Sequence, residues 1–174
     1  MTVKTILTEP NPMLRQVSKP VDNVDKEEKQ LMDDMLETMY AANGIGLAAI
    51  QIGVPKRIIV MDISKDKETK EPRYYVNPII KNKDILKTTY EEGCLSVPNQ
   101  FAEIDRPKKC DVEYLDYNGE KQILHADGLL ATCIQHEMDH LEGILFIDYL
   151  SKLKKNLIIK KLSKHKKSLE RIVV

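Results

Sequence analysis

Leu129-Leu130-Ala131-Thr132-Cys133-Ile134-Gln135-His136-Glu137-Met138-Asp139-His140-Leu141 is the stretch around which the chain organises itself. It is apolar apart from a few placed polar residues, which predicts a helix over 129–141 at the centre of the fold. An apolar helix that carries His, Glu, Asp and His within five positions must satisfy those groups. Two histidines on a helix also occur as ordinary half-buried residues, but in this context metal coordination is the economical solution. Residues 136–140 match H-E-x-x-H, a metallohydrolase pattern. At about 100° per residue, His136 and His140 lie ~40° apart around the axis and one turn apart along it, so both imidazoles reach one ion. Glu137 lies ~80° to one side of that pair and Asp139 equally far to the other, so helical geometry does not choose a base. The mechanics of the motif assign the role to Glu137. Glu142 points to the opposite side and reads as a surface residue.

Outward from this helix, the spacing predicts strands over 57–63, 74–80, 85–90, 109–117 and 121–125. Asn118-Gly119 between the last two is a strong hairpin signal. A first helix is expected over 26–42, with Asp25 as N-cap, Leu31, Met35, Leu36 and Met39 at helical spacing, and Asn43-Gly44 as its end. A basic helix is expected over 152–171. Pro10, Pro12 and Pro20 mark an extended N-terminal arm. One block of strands flanked by helices gives an α+β class. The expected architecture is antiparallel β-sheets packed around the helix that bears H-E-x-x-H, with a C-terminal helix, all in one domain spanning 1–174.

A chain of 174 residues buries roughly two-thirds to 70% of its unfolded surface on folding, so it needs no metal merely to fold. The net charge is zero, which by itself points to no polyanionic partner. The average hides an asymmetry. From Ser151 onward, eight lysines and Arg171 face the single acid Glu170, giving that segment +8 and residues 1–150 the balancing −8. Three cysteines without paired spacing argue for a reducing compartment. Residues 1–10 have neither an apolar signal core nor a presequence character, and no apolar run approaches the ~20 residues that span a bilayer. The expectation is a soluble, cytoplasmic protein without membrane contact.

Two histidines need a third protein ligand to make a catalytic centre. Glu170 is a carboxylate from a later helix, but it sits among lysines on a segment that reads as solvated. Cys133 lies seven residues from His140, ~10.5 Å along the helix, a long reach for a thiol. Cys110 falls in an expected strand and reads as a packed core thiol. Cys94 follows Glu91-Glu92-Gly93 and precedes Leu95-Ser96-Val97-Pro98, just after an expected strand and after a glycine that allows close backbone approach. Its chemistry is favoured over the other three.

Three segments now stand together: Gly44-Ile45-Gly46-Leu47-Ala48-Ala49-Ile50-Gln51, Glu92-Gly93-Cys94-Leu95-Ser96, and Gln135-His136-Glu137-Met138-Asp139-His140. In order and spacing they closely resemble the peptide deformylase family, and the likeness runs over nearly the whole chain. The resemblance implies a metallo-amidohydrolase that removes the formyl group from the N-terminal formyl-methionine of new peptides and releases formate. It implies Cys94, His136 and His140 as ligands of one Fe(2+), with Ni, Co or Zn as substitutes; a thiolate and two imidazoles alone would have suggested zinc. It implies Glu137 as the proton carrier, with Gln51 and the backbone N–H of Leu95 as oxyanion donors. Ile45 and Gly46 would form an edge for the substrate backbone, with Gly46 leaving room for it. Gly93 falls in the second motif and counts with the substrate-binding residues. The methionine pocket would be lined by Ile45, Tyr90, Glu92, Leu129, Thr132, Cys133 and His136.

Ile50 stands where this family often has Thr, and Phe101 where it often has a basic residue; with Tyr90 and Thr132 these bear on peptide preference beyond methionine. The basic helix is expected to pack Leu153, Leu157, Ile158 and Leu162 inward, and the resemblance adds a ribosome contact through its lysines. The protein is expected to be a monomer. Two other readings are an H-E-x-x-H peptidase that uses Glu170, and a catalytically dead, metal-stabilised ribosome-binding module.

Overall fold

Ile58-Ile59-Val60-Met61 is apolar at every position because strand β2 (Ile58–Met61) is covered on both faces. In the computed structural model, which describes residues 2–64 and 69–172 (side chains through 164), Ile58 and Val60 pack against Met32, Met35 and Met39 of α1 (Lys26–Ala41). Ile59 and Met61 turn the other way, toward Ala131 and Ile134 of α2 (Gly128–Leu141).

Strand β2 is the second strand of an antiparallel five-stranded sheet. Its order is β1 (Gly46–Ala48), β2, β3 (Arg73–Lys83), β6 (Lys109–Leu115) and β7 (Lys121–Asp127). A separate antiparallel pair joins β4 (Lys87–Cys94) to β5 (Val97–Pro107). Helix α2 touches β1, β2, β6 and β7 of the larger sheet and β5 of the smaller one. The expected α+β arrangement around a central helix is therefore what forms. A third apolar cluster, Val97, Ile104, Leu145, Phe146, Ile147 and Leu162, joins the smaller sheet to a 3-10 turn (Phe146–Tyr149) and to α3 (Lys152–Ile172).

The local signals act as expected at several points. Asp25 caps α1 by accepting from the Glu27 N–H at 2.8 Å. After Asn43, which has a positive φ, the Gly44 N–H closes the helix on the Met39 carbonyl at 2.9 Å. The β6–β7 turn is organised by Asp116, whose carboxylate accepts from the N–H groups of Asn118 and Glu120, while Gly119 takes φ +80°. Cys110 is buried in the main core, and burial pushes its thiol up to about 11.

Three expectations require correction. The strand placed at 85–90 begins at Lys87 and continues through Cys94, so Cys94 ends a strand instead of following one. Ile85 and Leu86 lie in the preceding turn, exposed at 95% and 67%. Strand β5 has no counterpart among the expected strands, because its inward positions include Gln100 and Arg106, which break the apolar alternation. In α3, Leu153 and Leu157 face outward, exposed at 72% and 51%. The helix meets the body along Ile158, Ile159 and Leu162, and at 100° per residue the two leucines lie on the roughly opposite side.

Candidate metal centre

The ligand atoms of Cys94, His136 and His140 lie within 4.8 Å of one another. Two layers bring them together: Cys94 comes from the end of β4 and the two histidines from adjacent turns of α2. Cys94 Sγ is 3.3 Å from His140 Nε2. His136 Nδ1 is engaged by Glu92 Oε2 at 2.8 Å, which leaves Nε2 for the cluster.

Glu92 is held in turn by Arg106, whose Nε donates to Oε1 at 2.5 Å and Nη2 to Oε2 at 3.0 Å. Arg106 also donates from Nη1 to Asp139 Oδ2 at 2.8 Å. Arg106 and Glu92 are 4% and 6% exposed, so this fork is desolvated. Burial opposes the charge on Arg106, but Glu92 and Asp139 outweigh it and raise its pKa. Burial likewise opposes charge on Glu92, yet His136 and Arg106 hold its carboxyl below the usual range. One guanidinium between two carboxylates leaves a net negative charge beside His136. Burial disfavours a proton on His136, but the Cys94 sulfur and Glu92 overcome this and raise its pKa. Surroundings that favour a proton there also favour a metal cation. His140 is kept neutral by burial and by the neighbouring His136, the state in which imidazole donates a lone pair. The donor set therefore fits a divalent metal.

Glu137 is 4% exposed, and its Oε2 is buried with no partner among the described residues. Burial, with Glu92 and Asp139 nearby, pushes its carboxyl up to about 7, against the pull of His136 and Arg106. Asp139, which helical geometry left as its equal, is committed to Arg106 and to the Tyr149 hydroxyl at 2.8 Å. Gly46 faces Glu137: a β-carbon there would stand 2.8 Å from Glu137 Cδ. The room on the side where a Gly46 β-carbon would point is filled by Glu137.

Gln51 lies in a 3-10 turn (Ala49–Ile52) and is locked at both ends of its amide. Its Oε1 accepts from the Ala48 N–H at 2.8 Å, and its Nε2 donates to Ser96 Oγ at 3.0 Å while lying 3.6 Å from Cys94 Sγ. Leu95 and Ser96 form the two-residue link between paired Cys94 and Val97. A cleft of about 520 Å³ opens beside them, walled by residues 42–46, 93–95 and 97–101. Ile45, Gly46, Gly93 and Leu95 thus meet at one opening. A β-carbon on Gly93 would come within 2.6 Å of the Phe101 ring, so that glycine lets Phe101 cover the rim.

Tyr90, Leu129, Thr132 and Cys133 lie outside this wall, around the start of α2. Cys133 Sγ is 3.9 Å from the Ile45 carbonyl, and the Tyr90 hydroxyl lies 3.8 Å from where a β-carbon on Gly128 would be. Thr132 Oγ1 is buried without a partner among the described residues. Glu92 belongs to the ion network behind His136. Glu142 is a surface residue as expected, paired with Arg57 at 2.6 Å. The side chain of Glu170 lies outside the described residues. Arg106, Ser96 and Tyr149 have no role in the sequence reading. Ser96 sits inside the second motif and gave a signal; Arg106 and Tyr149 gave none.

The polypeptide deformylase family profile matches residues 3–156 of this chain. The chain belongs to the polypeptide deformylase family. It is 76% identical to a peptide deformylase of Pelagibacter ubique over 174 residues, all of both chains, and 56% identical to one of Maricaulis maris over 98% of each. Its fold superposes on the crystal structure of a peptide deformylase from Ehrlichia chaffeensis with a TM-score of 0.92 at 43% identity, covering 96% and 98% of the two chains. A second structure of the Ehrlichia deformylase, in complex with actinonin, gives 0.91 at 46% identity. This deformylase is accordingly a metal-dependent hydrolase that removes the N-formyl group from the formyl-methionine of newly made proteins. That excludes the peptidase and dead-relative readings. Among the described residues of this deformylase, no helix is long and apolar enough to cross a membrane.

Proposed function

We propose that Cys94, His136 and His140 hold one Fe(2+), replaceable by Ni, Co or Zn, and that Glu137, Gln51 and Leu95 carry the chemistry. When bound, the ion supplies Lewis acidity, making a neighbouring water acidic and polarising the formyl carbonyl. Glu137 Oε2 takes a proton from the attacking water and passes it to the departing amine. Water oxygen bonds to the formyl carbon, the C–N bond breaks, and the products are formate and a free amino terminus. The amide N–H of Gln51 and the backbone N–H of Leu95 donate to the oxygen that gains charge, each such donor typically worth about 3 kcal/mol of barrier. What supports this reading most is that three ligand atoms converge beside a buried carboxylate oxygen with no partner among the described residues.

The substrate backbone adds to the edge at Ile45 and Gly46 and crosses Gly93. The methionine side chain lies among Ile45, Tyr90, Leu129, Thr132 and Cys133, an adaptable apolar slot for a flexible thioether. Glu92 borders this slot from behind His136. Tight space at the metal leaves no place for an acetyl methyl. With Ni(II)-loaded or anaerobic Fe(II)-loaded protein, formyl-Met-Ala is expected to yield formate while acetyl-Met-Ala stays intact. Acetate release at a comparable rate would defeat this account of selectivity.

We further propose one cytoplasmic, monomeric domain over 1–174 that contacts the ribosome through α3. Support comes from Lys152, Lys154, Lys160, Lys161 and Lys164, all exposed, alongside the outward Leu153 and Leu157. Reversing Lys160, Lys161 and Lys164 to glutamate leaves the Ile158 and Leu162 packing in place. It should weaken ribosome co-sedimentation and flatten its salt dependence, as should truncation after Leu150. Binding that ignores both changes and salt would remove the proposal.

A further inference from the structure

Behind the metal ligands, away from the cleft, a second cavity of about 350 Å³ is bordered by Lys83, Lys87, Asp105, Arg106, Asp139 and Tyr149. Tyr149 is half exposed, at 52%, while the groups beneath it are not. Its ring lies 5.0 Å from the Arg106 guanidinium carbon, a cation–π distance. Its hydroxyl donates to Asp139 Oδ2 at 2.8 Å, the same oxygen that accepts from Arg106 Nη1 at 2.8 Å. From Arg106 the contacts continue without a gap: both Glu92 oxygens take the guanidinium fork, and Glu92 Oε2 meets His136 Nδ1. The ring covers the outer end of a continuous series that finishes on the imidazole. Without it, water from the cavity would reach the guanidinium face and compete with Glu92 for the Arg106 N–H groups.

We propose that Tyr149 is a positioning residue for the metal centre: by covering Arg106 it fixes Glu92, which holds the His136 ring at one rotation with Nε2 toward the ion. The inference rests on the reading of His136 as a ligand. An outer partner of a metal-bound histidine typically changes metal affinity or activity by 10–100-fold, and Tyr149 acts two steps further out. The expected effect is at the low end, about tenfold.

The test uses the full chain loaded with Co(II), following its visible absorption bands, the sulfur-to-cobalt charge-transfer band and the rate of cobalt release to a chelator. Tyr149→Leu should release cobalt about tenfold faster and shift the visible bands, while Tyr149→Phe, which keeps the ring, should stay within about threefold of wild type. If the leucine variant unfolds, Tyr149→Met, which keeps bulk but not the ring, carries the same expectation. Wild-type release and unchanged bands in a folded ring-less variant would overturn the proposal, as would a phenylalanine variant as fast as leucine. A wild-type protein without the sulfur-to-cobalt band would instead overturn the ligand assignment, and this inference with it.

Discussion

Glu137→Gln is expected to release formate from formyl-Met-Ala roughly 10²–10⁴-fold more slowly than wild type, while keeping its metal and its fold. The argument is local. Glu137 Oε2 is buried without a partner among the described residues, so the amide creates no broken ion pair there. The side-chain volume that Gly46 accommodates is almost unchanged. What is lost, on the assignment proposed above, is the group that accepts and returns the proton. Metal content by atomic absorption, thermal unfolding and kcat on the same preparation separate the possibilities. A variant within tenfold of wild-type kcat would take the proton-transfer role away from Glu137.

Arg106→Leu is expected to lower stability by about 3–5 kcal/mol, because it leaves the buried carboxylate of Glu92 and the partly buried one of Asp139 without their common cation. At roughly 2–4 °C per kcal/mol for a chain of this size, the melting temperature should fall by about 6–20 °C. The arginine is 4% exposed and touches both acids directly, so solvent does little to soften the loss. Calorimetry of the variant checks this. A fall of under about 2 °C would mean the network contributes little to stability, and a triple variant that also neutralises Glu92 and Asp139 should recover part of any loss.

The α+β class, the hairpin at Asn118-Gly119 and the closeness of the two histidines were legible because each rests on a short-range rule: alternation, a turn dipeptide, or one helical turn between histidines. The metal was legible from motif spacing and chemistry together, since Cys94 is distant in sequence and only the resemblance joined it firmly to His136. Strand β5 was hidden because its inward face carries Arg106, a residue that sequence patterning counts as outward. Arg106 is buried only because Glu92 and Asp139 arrive from other elements, and no local pattern announces such a partnership. Leu153 and Leu157 misled for another reason: they lie roughly opposite Ile158, Ile159 and Leu162, so the apolar residues of this helix form two faces and only one of them meets the body.

The separation along the chain of the groups at this centre has a consequence for how the enzyme comes into being. Gln51 meets Cys94 from 43 residues away, Glu92 meets His136 across 44, and Cys94 meets His140 across 46. No hairpin or helix pair contains the centre, so it closes only when most of the polypeptide has condensed, and the entropy of those long loops is met by the whole fold. On the ligand set proposed above, a segment ending before His140 holds no reactive centre. An enzyme that serves chains as they are born is therefore itself inert through most of its own synthesis.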